Sequence, residues 1–174
     1  MMKSIGVYLI LPIAALLFAG CQSNKPIKQS HAMNEKSTPA VIKSNEEWKQ
    51  ILTDEEYYVL REAGTERPFM GKYTDTDDKG NYYCKACGHL IFTSDTKYHS
   101  GCGWPAFYDK AGKSAVITKM DYSHGMTRVE VLCQQCHSHL GHVFEDGPAD
   151  KTGLRYCINS ISMEFKPDST TGKP

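Results

Sequence analysis

The residues best equipped for chemistry in this chain are its thiols and imidazoles. Seven cysteines and seven histidines occur among 174 residues. Four of the cysteines form two Cys-x-x-Cys pairs, Cys84/Cys87 and Cys133/Cys136. Two such pairs supply four thiolates, the set a tetrahedral structural Zn2+ takes. Four protein ligands leave no open coordination position, so this metal would clamp two distant hairpins and do no chemistry. Oxidation is the rival outcome, because an exported protein meets disulfide-forming conditions. The doubled spacing favours the metal, since two separate redox pairs in one small domain would be an unusual demand.

Setting these four aside, together with Cys21, leaves Cys102 and Cys157. Cys157 lies in Arg155-Tyr156-Cys157-Ile158-Asn159-Ser160, which reads as a short strand after the turn-forming Pro148 to Gly153. Alternation puts Arg155, Cys157 and Asn159 on one face, with Tyr156 and Ile158 toward a core. A fixed positive charge beside a thiol favours the thiolate, the reactive form. Cys102, in Ser100-Gly101-Cys102-Gly103-Trp104-Pro105, has a glycine on each side and reads as a loop with freedom to move. A static structural disulfide between Cys102 and Cys157 is one reading. The other is a working pair, in which one thiol attacks a substrate and its partner resolves the oxidised product.

Three histidines, His137, His139 and His142, fall within six positions. Imidazole is the natural proton donor near neutral pH. These rings could also ligate zinc, a role the cysteines already fill. Trp104 is either plain core or the wall of an apolar pocket suited to a methyl group or thioether.

Short elements must position these groups. Ser44 to Gly64 reads as helical, with Ser44/Glu47 and Thr53/Glu56 as capping boxes, Gly64 as the stop, and Ile51, Leu52, Tyr58 and Val59 as the apolar face. After Pro68 the pattern changes to about seven short strands between turns, at 82–84, 90–92, 115–118, 127–132, 143–144, 154–158 and 161–165. An all-β core with a small helical lead-in follows, and about 125 residues bury one sizeable core. No repeat or second domain is evident, and a monomer is expected.

The N-terminus carries a different message. Lys3, the apolar run from Ile5 to Ala19 and the small residues before Cys21 have the build of a bacterial signal peptide over residues 1–20. Leu17-Phe18-Ala19-Gly20-Cys21 resembles the lipobox of bacterial lipoproteins, which implies a lipidated Cys21 and a membrane-anchored, exported protein facing the periplasm or cell exterior. The alternative is simple secretion with Cys21 left free. Residues 21–43 are polar and read as a flexible tether, 44–168 as the folded domain and 169–174 as a disordered tail. Lysine plus arginine equals aspartate plus glutamate at twenty each, and no basic stripe argues for nucleic acid.

Together the segments around Cys102, the two Cys-x-x-Cys knuckles, His139-Leu140-Gly141-His142-Val143-Phe144 and the Cys157 strand resemble the methionine-R-sulfoxide reductase B family, from about Thr53 to Lys166. Ala106 stands where a serine is usual. The resemblance implies two antiparallel sheets in a small sandwich-like domain, stapled by zinc at Cys84, Cys87, Cys133 and Cys136. It implies a thiol-dependent reductase acting on methionine R-sulfoxide, free or in oxidised proteins. Cys157 would be the nucleophile and Cys102 the resolving thiol. His142 with His139 would protonate the sulfoxide oxygen, Arg155 would depress the Cys157 pKa, and Asn159 would orient the site. Trp104 would receive the S-methyl group, and Asp146 matches a position near the substrate. A thioredoxin-like reductant would recycle the Cys102–Cys157 disulfide. Two other functions stay open on the residues alone: a non-catalytic zinc-ribbon module, and a general disulfide oxidoreductase using a knuckle pair.

Overall fold

The computed structural model describes residues 38–168. The expected signal peptide, the Cys21 lipidation site, most of the tether and the tail lie outside the described residues. The tether does not extend to residue 43. Val41 donates its N–H to the Gln135 carbonyl (2.8 Å) and packs on the core.

Both expected capping boxes form. Ser44 and Thr53 each accept from the backbone N–H three residues on, and Glu47 and Glu56 reach back to the cap N–H. They start two short helices, α1 (Asn45–Ile51) and α2 (Asp54–Glu62). Because the second cap resets the helical phase, the buried face is Trp48, Leu52, Tyr57, Val59 and Leu60. Ile51 and Tyr58, expected inside, are about half exposed (53% and 51%). The stop is Ala63, in a left-handed conformation (φ 55°), one residue before the expected Gly64. No described helix is long and apolar enough to cross a membrane.

The remaining described elements are chiefly strands: β1 (Gly80–Cys84), β2 (Leu90–Thr93), β3 (Lys97–Tyr98), β4 (Ala106–Phe107), β5 (Val116–Asp121), β6 (Arg128–Cys133), β7 (His139–Phe144), β8 (Arg155–Ile158) and β9 (Met163–Pro167). They form a three-stranded sheet, β2-β1-β9, and a six-stranded sheet, β3-β4-β8-β7-β6-β5, antiparallel throughout. The fold is therefore mainly β, two antiparallel sheets with short N-terminal helices. β3 and β4 fall where the sequence reads as loop, because two-residue strands leave no alternating pattern. Aromatic rings join the sheets: Phe107 of β4 stacks on Phe92 of β2 (4.5 Å between centroids) and meets Tyr82 of β1 edge-on (5.1 Å). Phe92 also contacts Tyr156 of β8 at 5.6 Å. Tyr156 and Ile158 are thus buried, as the alternation on β8 requires.

Candidate active site

Strand β8 lies inside the larger sheet, between β4 and β7. Its register sets Cys157 directly opposite His142 on one side and Ala106 on the other. The same row continues through Glu130 of β6 to Lys119 of β5. His139, three residues from His142, would face the opposite side of a regular strand. Opposite Val131 and Leu132 of β6 the pairing skips Leu140 of β7, a bulge that brings both rings to one surface, 5.4 Å apart. Gly141 between them has no room for a side chain, since a Cβ there would collide with the Cys157 carbonyl.

Each imidazole is held by a carboxylate from the same sheet, His139 by Glu130 of the adjacent β6 and His142 by Asp121 of β5, two strands away. His142 Nε2 meets Asp121 Oδ2 at 2.9 Å. Asp121 also accepts from the Ser123 N–H (2.9 Å) and from Arg128 Nε and Nη2 (3.1 and 2.7 Å). These donors hold its carboxyl well below the usual carboxylate range. Burial lowers the pKa of His142 against the pull of Asp121, so the ring is neutral near pH 7. His139 Nδ1 meets Glu130 Oε1 at 2.7 Å, and Lys119 Nζ reaches Glu130 Oε2 at 3.0 Å. His139 is almost wholly buried, its Nε2 has no hydrogen-bond partner, and it does not line the cavity beside Cys157. It backs His142 from behind. Asp121, Arg128 and Glu130 are absent from the sequence-based site. Their one signal there is the alternation of charged with apolar residues at 119–121 and 128–130, which cannot say which strand lies alongside.

A cavity of about 110 Å³ opens at Cys157 and His142, walled by Trp104, Phe144, Asn159 and Thr65. Trp104 Nε1–H donates to the Glu66 carbonyl (3.2 Å). Asn159, just beyond the strand, is buried; its Oδ1 accepts from the Glu66 N–H (3.0 Å) and its Nδ2 donates to the Leu140 carbonyl (3.1 Å). One Nδ2 hydrogen remains. Asp146 does not line this cavity. It lies in an adjacent open groove with Cys102, Tyr98 and His99, and pairs with Arg155 through two 2.8 Å bonds.

Cys102 and Cys157 approach to 3.4 Å between Sγ atoms as free thiols. A disulfide, with S–S about 2.05 Å, needs a further approach of about 1.4 Å. Arg155 lowers the Cys157 pKa, the expected direction, but it is outweighed. Burial, then the neighbouring Cys102, push Cys157 up to about 12. Arg155 pulls the other way but is committed to Asp146 and lies over the Phe144 ring, 4.5 Å from its centroid. For Cys102 burial is outweighed, chiefly by the Ser100 hydroxyl donating to its sulfur (3.0 Å), and its pKa falls below that of an ordinary thiol.

The other four thiols meet elsewhere. The β1–β2 hairpin carries Cys84 and Cys87, and the β6–β7 hairpin carries Cys133 and Cys136, so the cluster joins the two sheets. All four Sγ atoms lie within 4.8 Å of one another, with Cys84–Cys136 at 3.7 Å and Cys87–Cys133 at 3.6 Å. A tetrahedron of thiolates at 2.3 Å from Zn2+ has edges of about 3.8 Å, so the donors fit a structural zinc. The residues after each pair, Gly88 and His137, take left-handed φ of 73° and 54° and return their N–H groups to the Cys84 and Cys133 carbonyls. Arg61 of α2 braces the second knuckle through the Cys136 carbonyl and Ser138 Oγ (both 3.0 Å).

Comparison with known proteins agrees with this geometry. A family model described as the SelR domain matches residues 52–167. The peptide methionine sulfoxide reductase MsrB of Burkholderia thailandensis is 57% identical over 124 residues, 71% of this chain and 87% of that protein. The MsrB of Methanosarcina barkeri is 59% identical over 127 residues, covering 73% and 89%, and that of Chromohalobacter salexigens 54% over 127 residues, covering 73% and 96%. With the SelR match covering residues 52–167 and these identities extending over most of each relative, the chain belongs to the methionine-R-sulfoxide reductase B family.

Proposed function

We propose that this domain, an enzyme of the peptide-methionine (R)-S-oxide reductase class, returns methionine R-sulfoxide, free or in oxidised proteins, to methionine through Cys157. One observation carries the reading: Cys157 opens into a small cavity walled by Trp104, opposite His142, with a second thiol 3.4 Å away. The substrate's S-methyl group packs on Trp104, and the free Nδ2 hydrogen of Asn159 donates to the sulfoxide oxygen. Neutral His142 takes the Cys157 proton as the sulfur attacks the sulfoxide sulfur, then gives it to the sulfoxide oxygen. Asp121 steadies the ring while it is charged, and His139 backs it. Arg155, held by Asp146, offsets part of the charge as Cys157 ionises.

The oxygen passes from methionine sulfur to cysteine sulfur. The sulfoxide is reduced by two electrons, methionine leaves, and Cys157 becomes a sulfenic acid. Cys102 then attacks the Cys157 sulfur. The S–O bond breaks, the Cys102 proton leaves with the hydroxide as water, and a Cys102–Cys157 disulfide forms. A thioredoxin-like dithiol reduces it by exchange. Bound zinc supplies no step; it holds the two hairpins together through Cys84, Cys87, Cys133 and Cys136. The same proposal takes residues 1–20 as an export signal and Cys21 as the lipid-bearing N-terminus, so the domain repairs oxidised exported proteins from a membrane anchor, as a monomer.

The test offers both epimers of methionine sulfoxide, in a peptide, to the wild type and to Cys157→Ser with a chemical dithiol. Turnover of the R epimer that disappears in Cys157→Ser is expected. Turnover of the S epimer alone, or full activity in the variant, overturns the proposal.

A further inference from the structure

Four hydrogen bonds converge on one residue that touches none of the reacting atoms. Glu66 lies in the extended segment after α2, where its neighbour Thr65 lines the cavity. Its main-chain N–H donates to Asn159 Oδ1 (3.0 Å), and its carbonyl accepts from Trp104 Nε1 (3.2 Å). Its carboxylate reaches past Asn159 and takes the next two backbone N–H groups, Ser160 to Oε1 (2.5 Å) and Ile161 to Oε2 (2.9 Å). Those groups open the 3-10 turn Ser160–Ser162, and as orphan donors they need an acceptor. Burial of the half-buried side chain raises the Glu66 pKa against these two donors.

The consequence is directional. An amide side chain looks alike end for end, and its partners decide which end is oxygen. The Glu66 N–H fixes Oδ1 of Asn159 on its own side, so Nδ2 is left for Leu140 and the cavity. The Glu66 carbonyl likewise fixes which edge of the Trp104 indole faces inward. A single residue therefore sets both the polar and the apolar wall of the cavity, and its carboxylate clips it to the strand end that carries Cys157. We propose that Glu66 is a positioning residue for the substrate, acting through Asn159 and Trp104. This rests on the assignment of the cavity as the sulfoxide site.

The role separates from a merely structural one by its kinetics. A variant that only unfolds lowers the active fraction, and so the apparent kcat, without altering KM. Loosened walls instead change how substrate is held, and displacements near 1 Å can cost about 100-fold. With methionine R-sulfoxide peptide and dithiothreitol, Glu66→Ala is expected to lower kcat/KM about 10-fold or more, with KM raised at least about 3-fold. Glu66→Gln keeps the size and one acceptor, and is expected to fall between the wild type and Glu66→Ala in KM. Alkylation of Cys157 by iodoacetamide, measured in a Cys102→Ser background, should be unaffected by Glu66→Gln. An unchanged KM in Glu66→Gln and in any folded Glu66→Ala overturns the proposal, whatever happens to kcat. A wild type inactive on the R epimer refutes the reductase assignment instead, so the two failures are distinguishable.

Discussion

Cys102 and Cys157 stand 3.4 Å apart, Cys87 and Cys133 3.6 Å, and Cys84 and Cys136 3.7 Å. Sulfur separation does not distinguish the pair proposed to react from the cluster suited to a metal. Their mountings do. The four cluster thiols sit on two knuckles of the same design, each closed by a left-handed residue and a backbone bond across the Cys-x-x-Cys turn. They form a closed set of four, none opening on the substrate cavity. The Cys102–Cys157 pair, proposed as the reactive one, is unequal. Cys157 is fixed on a central strand facing His142, while Cys102 rides on a glycine-flanked loop beside a separate groove. Four donors of one kind satisfy a metal; two inequivalent ones, with a cavity and a proton carrier beside one of them, suit a reaction.

The contrast can be broken from either side. The largest structural effect is expected at the cluster. Cys84→Ser leaves three thiols, two of them buried, and should lose zinc, costing about 4 kcal/mol or more, a fall in Tm of roughly 10–20 °C at this size. Zinc content and thermal melting check it. Cys102→Ser should do the reverse, keeping zinc and melting near wild type. One turnover per enzyme should survive while thioredoxin-driven cycling collapses, so normal steady-state turnover would refute the resolving role. Asp121→Asn removes the charge that steadies His142, and kcat should fall about 10- to 100-fold, with zinc retained. The smallest change is a titration. Cys102 raises the Cys157 pKa, so removing it should bring the value down from about 12. In Cys102→Ser the ultraviolet absorbance of the Cys157 thiolate should therefore appear at lower pH. An unchanged midpoint would leave burial as the whole cause.

Much of this was legible before the fold. Both capping boxes form as their spacing requires, and Tyr156 and Ile158 turn inward while Cys157 and Asn159 reach the cavity. The helix face was misread at Ile51 and Tyr58 because Thr53 starts a second helix with a new phase. Arg155 lowers the Cys157 pKa as its place on the strand implies, but the burial and the Cys102 thiol that outweigh it depend on a loop arriving from 55 residues away.

By itself, the sequence determined which residues share a strand face or a knuckle, and so sorted six of the seven cysteines into a four-thiol set with metal spacing and a remaining pair. Those are local matters, decided by a period of two along a strand and by Cys-x-x-Cys spacing. Only the tertiary structure decided that His142 faces Cys157, that a bulge turns His139 to the same surface, that Asp121 and Glu130 hold the rings, and that Glu66 spans both walls. Each depends on strand register or on a loop returning from far along the chain. A one-residue slip in register would send every such side chain to the other face.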